Sequence, residues 1–150
     1  MTLPIDPAAI DPDEYGEQQT TLAMDHDEAI EYVREVCLDN GFGVPVEFSP
    51  SEMLNAKVDA DRDPYYVLGA CNPEMADRAL DATERRIGAL FPCNMIIWEE
   101  TPGQQRVYHL SIMKIARLLG LPAAADEMDD IIADTGEMVE AVFAELDADD

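Results

Sequence analysis

The chain has 150 residues, of which 47% are hydrophobic, and its 33 acidic and 9 basic side chains give a net charge of −24. This length suits one domain that buries about 70% of the surface of its unfolded chain, so neither disulfides nor a metal ion are needed for stability. The negative charge argues against binding to nucleic acids or anionic membranes, because both require a basic protein surface.

Acidic residues are spread along the whole chain, whereas lysine occurs only at Lys57 and Lys114. A compact body with this charge repels itself in dilute buffer. In about 1 M salt the Debye length falls to about 3 Å, and most of that repulsion is screened. The composition is therefore typical of a haloarchaeal-type protein from a salt-accumulating cell. An acidic interaction module is the alternative, which the even spread of acids disfavours.

The N-terminal stretch MTLPIDPAAIDPDEYG combines prolines with acids and lacks the basic and apolar regions of a signal peptide. We predict a loose acidic arm over residues 1–16, a single α+β domain over residues 17–150 and a cytoplasmic location. The first strand is predicted over residues 17–24, where Thr20 and Thr21 favour an extended backbone.

The segment DHDEAIEYVREVCLDNG predicts the first long helix, ended by Gly41. Asp25 and Glu28 have the spacing of a capping box. Apolar residues recur on one face of this helix at Ile30, Val33, Val36 and Cys37. Cys37 is therefore predicted to be an ordinary core residue.

Two strands and two helices are predicted in the middle of the chain. FGVPVEFSP predicts a second strand, which Pro45 places at a sheet edge or a bulge. A short helix begins at Pro50 or Ser51. The nearly continuous apolar run YYVLGA predicts a central third strand, and NPEMADRALDATERR predicts the next helix.

The C-terminal half predicts a hairpin followed by two helices. One strand begins at about Asn94, TPGQ forms the turn, and QRVYHLSI returns, with Trp98 and Tyr108 as cross-strand partners. SIMKIARLLG is a short helix, and a long final helix carries Pro122 in its first turn. The order of elements predicts an α+β fold with an antiparallel sheet of about four to five strands, helices packed on one face, and a long C-terminal helix.

The cysteine at position 71 has a sequence context that suits a functional thiol. Asn72 and Pro73 favour the cap and the first position of a helix, so the Cys71 thiol is expected at the positive end of a helix dipole. That setting lowers the pKa of a thiol. Gly69 leaves room for a ligand or another backbone to approach.

Cys93 begins a second cysteine–asparagine pair with Asn94. If the third strand, which ends near Cys71, and the fourth, which begins near Asn94, are neighbours, both cysteines could face one crevice. Asn72 and Asn94 would then hold the two turns through hydrogen bonds from side chain to backbone. The tentative ligand-binding residues are Gly69, Cys71, Asn72, Cys93 and Asn94, and no catalytic residue is assigned. The alternative is that both cysteines are small apolar core residues. Three cysteines without a signal peptide do not fit a disulfide framework.

A closed zinc site needs four ligands, and two cysteines 22 residues apart lack a nearby ligand pair. His26 and His109 are the chain's two histidines. We expect His26 to be solvated and His109 to be packed or hydrogen-bonded. Glu99 and Glu100 are interpreted as a solvated strand end.

YYVLGACNPEMADRALDATERRIGALFPCNMIIWEE resembles the core signature of the domain-of-unknown-function family 302, and DHDEAIEYVREVCLDNGFGVPVEF is similar to the opening helix and strand of that family. The resemblance covers roughly residues 18–146. It implies a compact α+β domain with no established enzyme activity, and its motif cysteines correspond to Cys71 and Cys93. SIMK stands where the family pattern has an Asp-Pro, which argues against a site at residues 111–114.

The leading functional hypothesis is a domain that binds a small molecule or a metal-containing ligand at a crevice lined by Cys71 and Cys93, with weak redox activity or none. The alternative is a non-catalytic structural module that self-associates. A thiol-dependent enzyme ranks third, because no general base lies near either cysteine in sequence. The expected partners are a small-molecule ligand and a second copy of the chain in a homodimer. No cofactor is identified.

Overall fold

The structure is a computed structural model that describes residues 6–123 and 125–148. Five strands form one antiparallel sheet in the order β1-β5-β4-β3-β2. The strands are β1 (Gln18–Leu22), β2 (Gly43–Phe48), β3 (Tyr65–Cys71), β4 (Cys93–Thr101) and β5 (Gln104–His109). The helices are α1 (His26–Asp39), α2 (Pro50–Val58), α3 (Pro73–Ala82), α4 (Ile112–Leu118) and α5 (Ala125–Ala148). The α+β fold, the antiparallel sheet and the long C-terminal helix are confirmed.

The strand order confirms two predictions. β3 lies between β2 and β4, as predicted for a central strand, and β4 is the middle strand of the sheet. β2 lies at the edge, and its register shifts between Gly43 and Val46, as Pro45 indicated.

Helix α1 begins after Asp25, but the Asp25 side chain makes no capping hydrogen bond, so the predicted capping box is wrong. The apolar face of α1 is buried as expected, and Cys37 is fully buried within the core. Sequence spacing identified this face because an apolar stripe must turn towards the sheet for the helix to pack.

Several predicted boundaries shift where the backbone changes direction. α3 ends at Ala82 and not near residue 86, because Glu84 and Arg85 adopt positive φ angles of 53° and 70°. β5 ends at His109, since Ser111 caps α4 and cannot continue a strand. α5 begins at Ala125, so Pro122 precedes the helix and does not lie in its first turn.

Alternation along the strands gives the sheet two different faces. The covered face packs against α1 and α5 and carries buried side chains, among them Leu22, Leu68, Met95, Ile97 and Val107. The open face carries half-buried or exposed apolar side chains, namely Val46, Phe48, Tyr65, Val67, Ile96, Trp98 and Tyr108. The helix layer of α1 and α5 thus lies on the covered face, while α2 lies beside one part of the apolar and aromatic open face.

Helix α5 packs on two hydrophobic clusters. Met128 and Ile131 join a cluster with α3 and α4, whereas Val142 and Leu146 join the cluster between the sheet and α1. Its 24 residues give it a length of about 36 Å, enough to reach both. None of the helices in the described ranges is long and apolar enough to cross a membrane.

The N-terminal segment is partly described. Two 3-10 helices span Pro7–Ala9 and Pro12–Tyr15. Lys114 Nζ donates a hydrogen bond to the Asp13 carbonyl at 2.9 Å, which ties the segment to α4. Residues 1–5 of the predicted arm lie outside the described residues, and the division into an arm and a domain stays a prediction.

Candidate functional site

The two cysteines of the predicted crevice lie on neighbouring strands. Cys71 ends β3 and Cys93 begins β4, where Cys93 pairs with Ala70 across the sheet. Both line one cavity of about 20 Å³. Asn72 caps α3 by accepting a hydrogen bond from the Met75 amide at 2.9 Å. Cys71 and Cys93 therefore lie on adjacent strands, as a shared crevice requires.

This cavity is very small and its surroundings are packed. A volume near 20 Å³ is about that of one water molecule, whereas ligand pockets measure about 300–1,000 Å³. The space beside Gly69 is filled by protein, because a Cβ there would lie 2.6 Å from Val46 Cγ2 and 2.7 Å from Pro92 Cγ. Asn94 is exposed. Ligand binding by these residues stays a prediction.

Burial governs the chemistry of two thiols. It raises the pKa of Cys37 to about 12. Burial, followed by the charge of the nearby Cys71, raises the pKa of Cys93 to about 12. Both groups are neutral thiols at physiological pH and poor nucleophiles. Within residues 6–123 and 125–148 no group of three His, Cys, Asp or Glu side chains converges to hold a metal ion.

The two histidines have defined partners. His109 is buried, and its Nδ1 lies 2.9 Å from the Asn94 carbonyl, so the nitrogen donates to it, as expected for a packed strand histidine. Burial lowers the pKa of His109, which keeps the ring neutral. His26 was expected to be solvated, but its Nδ1 hydrogen-bonds to Gln105 Oε1 at 2.8 Å.

A much larger cavity lies on the open face, and we name it the aromatic cavity. Its volume is about 570 Å³. The sheet side is formed by Tyr65, Ile96, Trp98 and Tyr108. The other lining residues are Pro50, Ser51 and Leu54 of α2, Arg62, Asp63 and Pro64 of the loop that follows it, and Glu99 of β4.

Three aromatic rings form a row across the sheet side of the aromatic cavity. The Tyr65 and Trp98 rings are stacked, with centroids 6.0 Å apart and an interplanar angle of 7°. The Tyr108 ring lies 6.0 Å from Trp98 and is tilted by 45°. Trp98 pairs directly with Tyr65 and Arg106, so the predicted Trp98–Tyr108 pair is a diagonal contact.

Tyr108 remains a neutral phenol. Its hydroxyl donates to Glu17 Oε2 at 2.7 Å. Burial, followed by this hydrogen bond, raises the pKa of Tyr108 to about 12. Burial also raises the pKa of Tyr65. The cavity therefore presents uncharged aromatic rings over the physiological pH range.

Hydrogen bonds hold the α2 side of the aromatic cavity. Ser51 is buried, and its hydroxyl accepts from the Tyr65 amide at 2.9 Å, which ties α2 to the start of β3. The Asn55 side chain donates to the Arg62 carbonyl at 3.1 Å and accepts from the Arg62 amide at 2.7 Å. The residue 59–64 loop is thus attached to α2, and these hydrogen bonds hold this part of the cavity lining in place.

A second depression adjoins the aromatic cavity, and we name it the acidic groove. Its volume is about 730 Å³, and it shares Ser51, Arg62, Pro64 and Glu99 with the aromatic cavity. Its carboxylates are those of Asp25, Asp27, Glu28, Glu52 and Glu99. Arg62 is the single permanently charged cation in its described lining. The shared residues thus separate an apolar depression from an acidic one.

Sequence reasoning missed this site because its residues come from distant segments. Tyr65 and Trp98 were recognised only as strand residues, and Glu99 only as a strand end. One sequence signal could have pointed to the open face. Ile96 and Trp98, like Tyr65 and Val67, are two residues apart, which places these large apolar side chains on one face of the sheet. This spacing does not show that α2 encloses a cavity there.

These features define a mixed α+β domain whose antiparallel sheet is covered by helices on one face. The chain matches the family described as "Domain of unknown function DUF302" over residues 18–146, and it belongs to that family.

The fold is shared with a solved structure, described as an uncharacterized conserved protein DUF302 from Bacillus stearothermophilus. That protein is 23% identical, with a TM-score of 0.74 over 87% of this chain and 97% of that chain. No match was found among curated proteins.

Proposed function

We propose that this domain binds a small organic molecule in the aromatic cavity. The observation that carries the proposal is the pocket of about 570 Å³ lined by three neutral aromatic rings. Ligand pockets fall at about 300–1,000 Å³ and are mostly apolar with a few placed polar groups. The hydrogen bonds of Ser51 and Asn55 support a preformed site, which lowers the ordering cost of binding.

The chain's single tryptophan makes a direct test available. Trp98 lines the aromatic cavity, so its fluorescence reports occupancy. Titration with the neutral, apolar dye N-phenyl-1-naphthylamine should quench Trp98 fluorescence and saturate. An absence of saturable quenching by folded protein would reject the proposal.

Two neighbouring residues of α2 give a matched pair of variants. Leu54 lines the cavity, whereas Met53 is 43% exposed and does not line it. Leu54→Phe should fill part of the cavity and weaken dye binding about tenfold, which corresponds to about 1.4 kcal/mol. Met53→Phe should leave the affinity unchanged. Equal effects of the two variants would place the dye elsewhere.

Self-association is a second candidate function. Val46 and Phe48 at the β2 end of the open face are 56% and 52% exposed. A second copy is the proposed occupant, because an apolar patch of this kind is self-complementary. The charge of −24 on each copy opposes the association, so the pair should form only where salt screens that repulsion.

Sedimentation equilibrium in molar KCl tests this second candidate. The wild type should be dimeric, and Phe48→Ser should shift it to a monomer. Leu119→Ser, at a site 58% exposed near the end of α4, should have no effect. A monomeric wild type across the measured concentrations would exclude self-association.

We further propose that the protein operates in molar salt, as the net charge of −24 with two lysines suggests. The melting temperature should rise steeply between dilute buffer and molar KCl, because salt screens the self-repulsion of the folded chain. A melting temperature independent of KCl would contradict a halophilic origin.

The hypothesis that Cys71 and Cys93 line a ligand-binding crevice is kept here only for the accessibility of the two thiols. We propose that Cys71 is the accessible thiol of the pair and that Cys93 is its buried neighbour. The support is the shared cavity of about 20 Å³ and the burial that raises the pKa of Cys93 to about 12. A ligand of drug-like size does not fit this volume, so a partner of that size must bind at its surface.

A further inference from the structure

We infer that Cys71, Cys93 and Met113 form a binding site for one soft metal ion, copper(I). The site is the cavity of about 20 Å³ that these three residues line together. Its volume excludes an organic ligand, but it is about that of one water molecule and therefore admits a bare ion. The inference goes beyond the proposed function and is independent of ligand binding in the aromatic cavity.

The lining of this cavity is rich in sulfur. The chain has three cysteines and eight methionines among 150 residues, so about one sulfur-containing side chain is expected in a set of eleven. Four of the eleven described lining residues carry sulfur, namely Cys71, Met75, Cys93 and Met113. Packing alone does not require this concentration, because alanine, leucine and phenylalanine fill apolar space with better-defined rotamers than methionine. The excess of sulfur therefore indicates a ligand that sulfur recognises.

The side-chain oxygen and nitrogen atoms of the same lining are already engaged. The Asn72 side chain accepts from the Met75 amide and donates to the Gly41 carbonyl, both at 2.9 Å. The Thr135 hydroxyl donates to the Ile131 carbonyl at 2.9 Å. The remaining described lining residues are alanine, phenylalanine and proline. Hard ions such as Mg²⁺ and Ca²⁺ require several oxygen ligands, whereas thiolate and thioether sulfur favours copper(I).

Strand pairing brings the two thiols together from different segments of the chain. Cys93 pairs with Ala70, the residue directly before Cys71. Burial and, after it, the charge of Cys71 raise the pKa of Cys93, so the two thiols interact with each other. Cys71 is partly exposed, which gives an ion a route from solvent. Binding of copper(I) breaks two S–H bonds, releases two protons to solvent and forms two copper–sulfur bonds without a change of oxidation state.

The two methionines of the lining have different surroundings. Met113 is buried in the cluster between α3, α4 and α5. Met75 is half-buried, and its sulfur lies 3.4 Å from Nη1 of Arg78, which forms an ion pair with Asp134. A guanidinium beside the Met75 sulfur opposes the binding of a second cation there. Met113 is therefore assigned as the third ligand.

A competition titration tests the site with copper(I) itself. Reduced protein, kept under argon with ascorbate, competes for the ion with the coloured chelator bicinchoninate. Molar sodium sulfate replaces KCl in this experiment, because chloride also binds copper(I). One equivalent of copper(I) per chain should pass from the chelator to the protein, and an ultraviolet band of copper–thiolate charge transfer should appear. An equal concentration of Mg²⁺ should not displace the bound ion.

Matched variants locate the bound ion. The double variant Cys71→Ala with Cys93→Ala should neither take copper(I) from the chelator nor show the charge-transfer band, although Cys37 is still present. Met113→Leu preserves the side-chain volume and should weaken binding about tenfold, which corresponds to about 1.4 kcal/mol. Met53→Leu is the control, because Met53 is an exposed methionine of α2 outside the cavity. It should leave the affinity unchanged.

Each outcome has a separate meaning. No transfer of copper(I) to folded wild-type protein, or equal transfer to the double cysteine variant, would overturn the inference. Equal affinities of Met113→Leu and Met53→Leu would overturn the assignment of Met113 as a ligand. If circular dichroism shows that the double cysteine variant is unfolded, the single variant Cys71→Ala decides, and wild-type affinity there would overturn the inference. Titration with N-phenyl-1-naphthylamine tests the proposed function separately, so a failure to bind copper(I) leaves that proposal intact.

Discussion

The two faces of the sheet are built from alternate residues of the same strands and differ in what they contribute. On β4, Ile97 points to the covered face and is fully buried, while Ile96 next to it lines the aromatic cavity of the open face. The covered face stabilises the fold through its contacts with α1 and α5. The open face keeps half-buried and exposed apolar surface, part of which lies under α2 in the aromatic cavity.

That difference supports the proposal that a ligand binds on the open face. A fold that needed the open face for stability would cover it, because exposed apolar surface gains nothing from folding. Contiguous apolar patches on soluble proteins commonly mark binding sites. The cysteine cavity, by comparison, is almost filled by protein.

The sharpest test compares two alanine substitutions on β4. Ile97→Ala should lower the free energy of unfolding by about 2–5 kcal/mol, because it leaves a cavity in the core. Ile96→Ala should cost less than half as much and should instead alter dye binding. Denaturant unfolding and the Trp98 titration measure the two effects. Equal losses of stability would show that the open face is part of the core.

Two glycine-to-alanine substitutions test how tightly the protein is packed around Gly69, beside the two cysteines. Gly69→Ala should destabilise by about 1–3 kcal/mol, since its Cβ would lie 2.7 Å from Pro92 Cγ and 2.9 Å from the Val46 carbonyl. Gly136→Ala should stabilise by about 0.5–1 kcal/mol, because nothing lies within 4 Å and the residue is in helix α5. A neutral Gly69→Ala would show that β2 can move away from β3.

Alkylation rates compare the thiols. Cys71 is partly exposed, and iodoacetamide should label it before Cys93 and Cys37, whose pKa values of about 12 suppress the thiolate. Mass mapping of peptides after limited labelling in molar KCl gives the order. If Cys71 is labelled only in denatured protein, it is a packing residue, and the cysteine hypothesis fails.

The smallest expected effect is the pH response of His109. Burial lowers its pKa in the folded protein, so the unfolded chain binds the proton first as pH falls. The stability that the neutral ring contributes is complete above the unfolded pKa of about 6.5 and decreases below it. His109→Gln should remove this part of the pH dependence between pH 7 and pH 5. Identical slopes in wild type and variant would contradict it.

Local sequence rules located most elements and failed at specific ends. Asn72 and Pro73 correctly predicted the start of α3, because a cap and a first-turn proline act within four residues. The predicted end of α3 was wrong, because the chain turns at Glu84 and Arg85, which adopt positive φ angles although neither is a glycine. The full strand order could not be predicted by such rules, because it depends on pairing between distant segments.

The sequence by itself determined the fold class, the core face of α1, the β4–β5 hairpin and the family. Each of these follows from periodicity, capping or motif order within a short stretch of chain. The tertiary structure alone decided which surface forms a cavity. Tyr65, Trp98 and Tyr108 become neighbours only through strand pairing, and α2 lies beside them through its hydrogen bonds to the start of β3 and to Arg62. The same pairing brought Cys71 near Cys93, and side-chain packing then filled the space between the strands.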